Sequence, residues 1–186
     1  MSDLTPIPVR TKALDSVLTR EDFFKMLQTA NDGTDRAILC LGLIGLRASE
    51  IVAFKPSWCD MSNRTITVPP KNAKRGKGRV VPFGNIKVVS EIILSFVVIE
   101  RRGINMSRVA VWARVKRMAG AAGIDHPVTP HGLRATGATF FAQAGWSITG
   151  LQNHFGWTQL KTAQAYIQSS GASAIRDMQD KGGNIL

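Results

Sequence analysis

The sequence predicts one mainly α domain with a small antiparallel β-sheet or hairpin, an α+β arrangement. Three observations carry that prediction. Apolar residues recur at helical spacing over most of the chain. Two short β-branched runs, "RTITV" (64–68) and "RVVPF" (79–83), interrupt that period once and flank a polar, glycine-containing segment. A length of 186 residues with 44% hydrophobic side chains is enough to bury one core, and the chain shows no internal repeat.

Each element follows from local chemistry. Residues 1–18 read as an arm or linker, in which Pro6 and Pro8 oppose helix. Thr19, with Asp22 three residues on, makes a capping-box-like start for "REDFFKMLQTAN". "NDG" (31–33) breaks that helix, and Thr34 is placed to cap a buried one through "DRAILCLGLIGL". Gly45 ends the apolar run just before Arg47. The two β-branched runs then pair around the basic loop "PPKNAKRGKG". Helical patterns follow in "IKVVSEIILSFVVIERR", in "SRVAVWARVKRMAGAAG" and from about Pro130 and His131 onward. Gly145, Gly156 and Gly171 divide the remainder into three short helices. The domain so bounded runs from 19 to 170. Residues 171–186 form a tail with Ala172, Ile175 and Met178 on one side, a stripe too short to bury itself alone.

Charge narrows the partner. Lys and Arg number 24 against 13 acids, a net +11, which favours nucleic acid first and an anionic membrane surface second. A solvated basic surface is the plain alternative. The longest apolar runs, "AILCLGLIGL" and "IILSFVVI", are too short to span a bilayer, and "MSDLTPIPVRTKALD" holds no apolar signal segment. Cys40 and Cys59 lie apart with neither a CxxC nor a histidine at ligand spacing, so no disulfide framework or zinc site is expected. A cytoplasmic setting and DNA as partner fit best.

Four stretches could carry chemistry. Arg47, in "GLRASEI", follows a long apolar helix, which suits an anion-binding guanidinium or a surface arginine paired with Glu50. His131 and Arg134, in "PHGLRATGATF", are three apart and share a helix face, so they can converge on one anion or merely form a polar face. The loop "KNAKRGKGR" holds five cations in nine residues; it can clamp phosphates or deliver one ammonium to a leaving oxygen. Tyr166, the only tyrosine in the chain, lies in "GWTQLKTAQAYIQ" nine residues beyond Trp157. It is either an amphipathic packer or a nucleophile.

In this order and spacing, "GLRASE", "KRGKGRVVP", "HGLR" and "FGWTQLKTAQAY" resemble the catalytic domain of the tyrosine recombinases, the integrase family. The likeness runs from about residue 19 to about 170. It implies a tyrosine-recombinase catalytic-domain fold and cleavage and rejoining of DNA through a covalent 3′-phosphotyrosyl intermediate, with no metal or other cofactor. By position it makes Arg47 and Arg134 the arginine pair and His131 the second-box histidine. Trp157 takes the His/Trp position, Tyr166 is the nucleophile and Glu50 the supporting acid. Counting back from "VVP" selects Lys74 as the hairpin lysine, whereas counting on from Arg47 falls nearer Lys71. Lys74 is preferred, because the hairpin ladder fixes its register more tightly. Lys71, Arg75, Lys77 and Arg79 are then expected on DNA.

Two departures are visible: Ala135 stands where the family often has histidine, and Phe155 replaces the leucine of "LGH". The chain also has no room for the amino-terminal helical domain that usually completes the DNA clamp, so it is either trimmed or a minimal recombinase. The resemblance further implies double-stranded DNA as partner, a homo-oligomer (a tetramer) on that DNA, no membrane, and a virus or mobile element as source. A type IB topoisomerase shares the layout. A catalytically silent DNA-binding fragment or regulator is the alternative from another class.

The implied chemistry wants these groups. A phenol titrates near pH ~10 and must lose its proton to attack phosphorus. Two guanidiniums can hold the extra charge on the nonbridging oxygens, and an ammonium can protonate the departing 5′-oxygen. Preorganised donors of this kind contribute roughly 3–4 kcal/mol each.

Overall fold

α2 (Gly33–Leu43) is buried continuously from Ala37 to Leu43, and a helix apolar on every side has to be surrounded. The computed structural model, which describes residues 16–171, surrounds it with α3 (Ala48–Ala53), α4 (Lys87–Glu100), α5 (Arg108–Ala121) and α6 (Pro130–Gln143). α1 (Arg20–Gln28) lies against α5. Most of the expected arm (1–15) and the tail (172–186) fall outside the described residues.

The helix starts use side-chain oxygen caps. Thr19 accepts the Asp22 N–H at 3.1 Å, as the sequence predicts. At α2 the cap is Asp32 rather than Thr34: its carboxylate accepts the Asp35 N–H at 2.7 Å. An ionised acceptor at the positive end of a helix outcompetes a hydroxyl two residues on, so the "NDG" segment that ends α1 also begins α2.

The paired runs form β2 (Thr65–Val68) and β3 (Arg79–Pro82), antiparallel, with Val68 opposite Arg79 and Thr65 opposite Pro82. A two-residue strand, β1 (Cys59–Asp60), adds to the far edge of β2 and was not expected. A short 3₁₀ turn at Pro70–Asn72 and a left-handed turn at Arg75 and Gly76 (φ 61° and 65°) shape the basic loop.

Two features of this fold place the site. α6 crosses α2 with backbones touching: a Cβ on Gly137 would stand 1.7 Å from the Leu43 carbonyl oxygen. That crossing sets Arg134, one turn earlier on α6, beside the chain leaving α2. The second feature is the end of α7 (Ile148–Phe155). Gly156 turns left-handed at φ 59°, and the Trp157 N–H returns to the Gln152 carbonyl at 3.0 Å. This is a Schellman-type closure. It turns Trp157 back toward Phe155 before α8 (Leu160–Ser169) carries Tyr166 past both.

Candidate active site

Glu50 anchors the site. It is fully buried in the first turn of α3, where its Oε2 accepts the Arg47 N–H at 2.8 Å and its Oε1 accepts Arg47 Nη1 at 2.9 Å. Arg79 approaches the same carboxylate with both terminal nitrogens, each at 2.8 Å. Burial alone pushes the Glu50 carboxyl up, but hydrogen bonds and charge from Arg79, then from Arg47, outweigh it and hold it below the usual range.

Arg134 has no carboxylate of its own. Its Nη1 donates to the Gly45 carbonyl and its Nη2 to the Phe155 carbonyl. The guanidinium lies 5.1 Å from the Phe155 ring centroid and 5.8 Å from that of Trp157, within cation–π range. Burial first, and then the Arg47 and Arg79 charges, drive its pKa well below the ordinary value. No carboxylate among the described residues pairs directly with this cation, and an anion entering beside it would favour its charged form.

These arginines share acceptors. Arg47 Nη2 donates to the Gly156 carbonyl at 3.0 Å and to the Phe155 carbonyl at 3.4 Å, the latter also taking Arg134. The Gly45 carbonyl takes both Arg134 and Arg79. Glycine is required at 45, where φ is 101° and a Cβ would stand 2.7 Å from the Phe155 ring. The phenylalanine that departs from the family pattern thus fills the space above Gly45 and offers a π face to Arg134.

A cavity of about 390 Å³ opens onto the cluster, lined among others by Arg47, Lys74, His131, Arg134 and Trp157. Lys74 reaches this cavity; Lys71, though exposed, does not line it. His131 is held below the usual imidazole range by partial desolvation and then by the Arg134, Arg47 and Lys74 charges. Tyr166 stacks on Trp157, with ring centroids 5.2 Å apart and planes 2° from parallel, and Trp157 stacks in turn on Phe155. Tyr166 is 6% exposed. Burial raises its phenol pKa and Arg134 offsets part of that rise.

The structure therefore brings together Arg47, Glu50, Lys74, His131, Arg134, Trp157 and Tyr166. Arg75 and Lys77 are exposed on the loop, as is Lys71. Arg79 is not with them. Its side chain is 7% exposed, and all three nitrogens donate inward, to Glu50, to the Gly45 carbonyl and to the His154 carbonyl. The position is a strand residue opposite Val68, not a loop tip, so the expectation that it meets DNA with the loop cations is corrected.

Two residues of the site were missed. Arg108 lines the cavity beside Lys74 and His131. A cation in the first turn of α5 opposes the helix dipole, a signal that could have found it. His154 is buried, its Nε2 lies 2.8 Å from the Ile44 carbonyl, and burial takes its pKa down to about 4. Nε2 is therefore the protonated nitrogen, donating to that carbonyl, while Nδ1 has no hydrogen-bond partner among the described residues.

Comparison with known proteins gives the chain's family and fold. The chain is 30% identical over 190 residues to the tyrosine recombinase XerD of Pseudomonas putida, covering 89% of this chain and 61% of that protein. It is 30% identical over 190 residues to the tyrosine recombinase XerA of Thermococcus kodakarensis, covering 94% of this chain and 65% of the relative. The chain thus spans less than two thirds of either relative's length. The fold matches a crystal structure of XerA recombinase with a TM-score of 0.73 at 23% identity, over 89% of this chain and 64% of that one. Residues 16–172 match the phage integrase family. With most of its length covered by that match, the chain belongs to the phage integrase family.

Proposed function

We propose that this chain is the catalytic part of a site-specific DNA recombinase that cleaves and rejoins strands through a 3′-phosphotyrosyl intermediate. The observation that carries the reading is electrical: Arg47 and Arg79 grip Glu50, and Arg134 lies on carbonyls they share, beside a cavity that also receives Lys74, His131 and Trp157. A phosphodiester is the anion that such a pocket suits, and Tyr166 stacks against its wall.

In this reading Arg47 and Arg134 hold the nonbridging oxygens, each with N–H groups left over from its protein contacts. His131, largely neutral at pH 7, and Trp157 supply N–H donors. The phenol of Tyr166 gives its proton to water as its Oη bonds to phosphorus. The bond from phosphorus to the 5′-oxygen breaks, and the Lys74 ammonium gives that oxygen its proton. Burial raises the Tyr166 pKa, so the phenol is protonated at rest and has to give up its proton during attack. Lys71, Arg75 and Lys77 then lie on flanking phosphates.

The proposal extends to a homotetramer on DNA in the cytoplasm, with residues 171–186 docking on a neighbouring protomer, and to a virus or mobile element as source. No described helix is long and apolar enough to cross a membrane. Reading the DNA that flanks the gene tests the source. For the chemistry, the chain is incubated with a nicked suicide duplex carrying its recombination site, and the products are run on a denaturing gel. A covalent protein–DNA band is expected; binding without a band would leave only a DNA-binding module.

A further inference from the structure

The basic loop is mostly exposed, yet it has to hold one lysine to a fraction of an ångström beside the arginine pair. From Lys74 to Gly78 every residue is exposed. One loop side chain reaches across to the tyrosine arm: Arg75 Nη1 donates to Thr158 Oγ1 at 3.3 Å, in water and at the long end of the range. The strong tie is at the loop's base. Arg79 Nε donates to the His154 carbonyl at 3.1 Å, Nη1 and Nη2 grip Glu50 at 2.8 Å each, and Nη2 also meets the Gly45 carbonyl at 2.9 Å.

Those acceptors are the ones that position the two site arginines. Glu50 also holds Arg47, and the Gly45 carbonyl also holds Arg134. The chain leaves room for this side chain: a Cβ on Gly156 would stand 2.9 Å from Arg79 Cδ. Arg79 is therefore one contact away from each arginine and five residues along the hairpin from Lys74.

We infer that Arg79 is a positioning residue, the joint that sets the general-acid loop in register with the phosphate-binding arginines. The inference rests on the recombinase reading above. A lysine at this position would keep the charge but lose the planar fork, and with it the simultaneous grip on α3, on the turn after α2 and on the end of α7. The consequence is selective. Proton delivery to the 5′-oxygen suffers, while phosphate binding and nucleophilic attack are largely kept.

The test measures cleavage of two suicide duplexes by wild type, Arg79→Lys and Lys74→Ala. One duplex is ordinary, and the other carries a 5′-bridging sulfur, which departs without a proton. Arg79→Lys is expected to slow the ordinary substrate about 100-fold, the order of loss for a catalytic group misplaced by ~1 Å. On the sulfur substrate the loss should shrink to less than about 10-fold, as for any general-acid defect. The salt slope of DNA binding should stay at the wild-type value.

Equal slowing of both substrates would make Arg79 a merely structural ion pair and overturn the inference. A salt slope lowered by about 0.9 without sulfur rescue would make it a phosphate contact and overturn it equally. Because the ratio of the two rates is taken within one preparation, partial unfolding leaves it unchanged. If Arg79→Lys does not fold, Arg79→Gln, which leaves Glu50 paired with Arg47, supplies the same ratio. Absence of any adduct from wild type, or of sulfur rescue in Lys74→Ala, would instead sink the catalytic reading on which this one stands.

Discussion

Among the described residues two carboxylates are completely buried, Asp35 and Glu50, and each is held by two arginines, but their surroundings differ. Asp35, at the start of α2, takes Arg114 at 2.8 Å, Arg117, and the Asn31 N–H at 3.0 Å. Arg114 also reaches Asp32 at 3.0 Å. Two acids meet two bases there, so the cluster is neutral, and its arginine side chains are 34% and 40% exposed. It staples α2 to α5. At Glu50 one acid faces Arg47, Arg79 and, through shared carbonyls, Arg134, whose exposure is only 3%. The first cluster is closed and the second is left two charges positive. What separates the two clusters is the counter-charge that the second lacks.

That difference should be largest in stability. Glu50→Ala strands buried guanidiniums and is expected to destabilise the fold by about 3–5 kcal/mol, the range for removing one partner of a buried pair. Asp35→Ala leaves arginines that can turn to water, so about 1–3 kcal/mol is expected. Urea unfolding of both variants measures this. An Asp35→Ala loss as large as that of Glu50→Ala would erase the distinction.

The two regions should also part in their response to acid. His154 is held neutral, with its pKa down from 6.5 to about 4. Below pH 6.5 the unfolded chain therefore binds the proton that the folded chain refuses, and stability falls as the pH drops toward 4. The window is worth about 3 kcal/mol at one pKa unit per 1.36 kcal/mol. Asp32, with its pKa lowered from 3.8, contributes stability that is retained through this window and lost only at lower pH. Unfolding at several pH values should show a slope between 6.5 and 4 that His154→Leu flattens. An unchanged slope in that variant would mean that the histidine is not the titrating group.

The smallest effect is expected on the loop. Lys71, Arg75 and Lys77 are exposed and screened, so each alanine replacement should lower the salt slope of DNA binding by about 0.9 and change little else. Affinity for DNA that does not vary with salt would contradict this electrostatic role.

Much of this was legible beforehand, and the misses have physical causes. Buried α2, the hairpin and the turn at Gly156 follow from periodicity and glycine placement. Arg47, His131, Arg134, Trp157 and Tyr166, singled out by their spacing, do lie together in the fold. Arg79 was misplaced because a cation in a basic stretch looks the same whether it faces water or a carboxylate 29 residues away. His154 was missed because its partner, the Ile44 carbonyl, is 110 residues distant and belongs to the backbone, which no side-chain pattern reveals. Asp32 displaced Thr34 as a cap through a competition that local propensity ranks only weakly.

If the uncompensated cluster binds a phosphodiester for attack by Tyr166, one substitution shows it most directly. Tyr166→Phe removes a single oxygen, keeps the ring stacked on Trp157, and leaves no other tyrosine to substitute. Wild type and variant are incubated with the nicked suicide duplex and run on a denaturing gel, with melting temperature and DNA affinity measured alongside. The covalent band should vanish while melting temperature and affinity stay at their wild-type values. A band that survives in Tyr166→Phe would contradict the account.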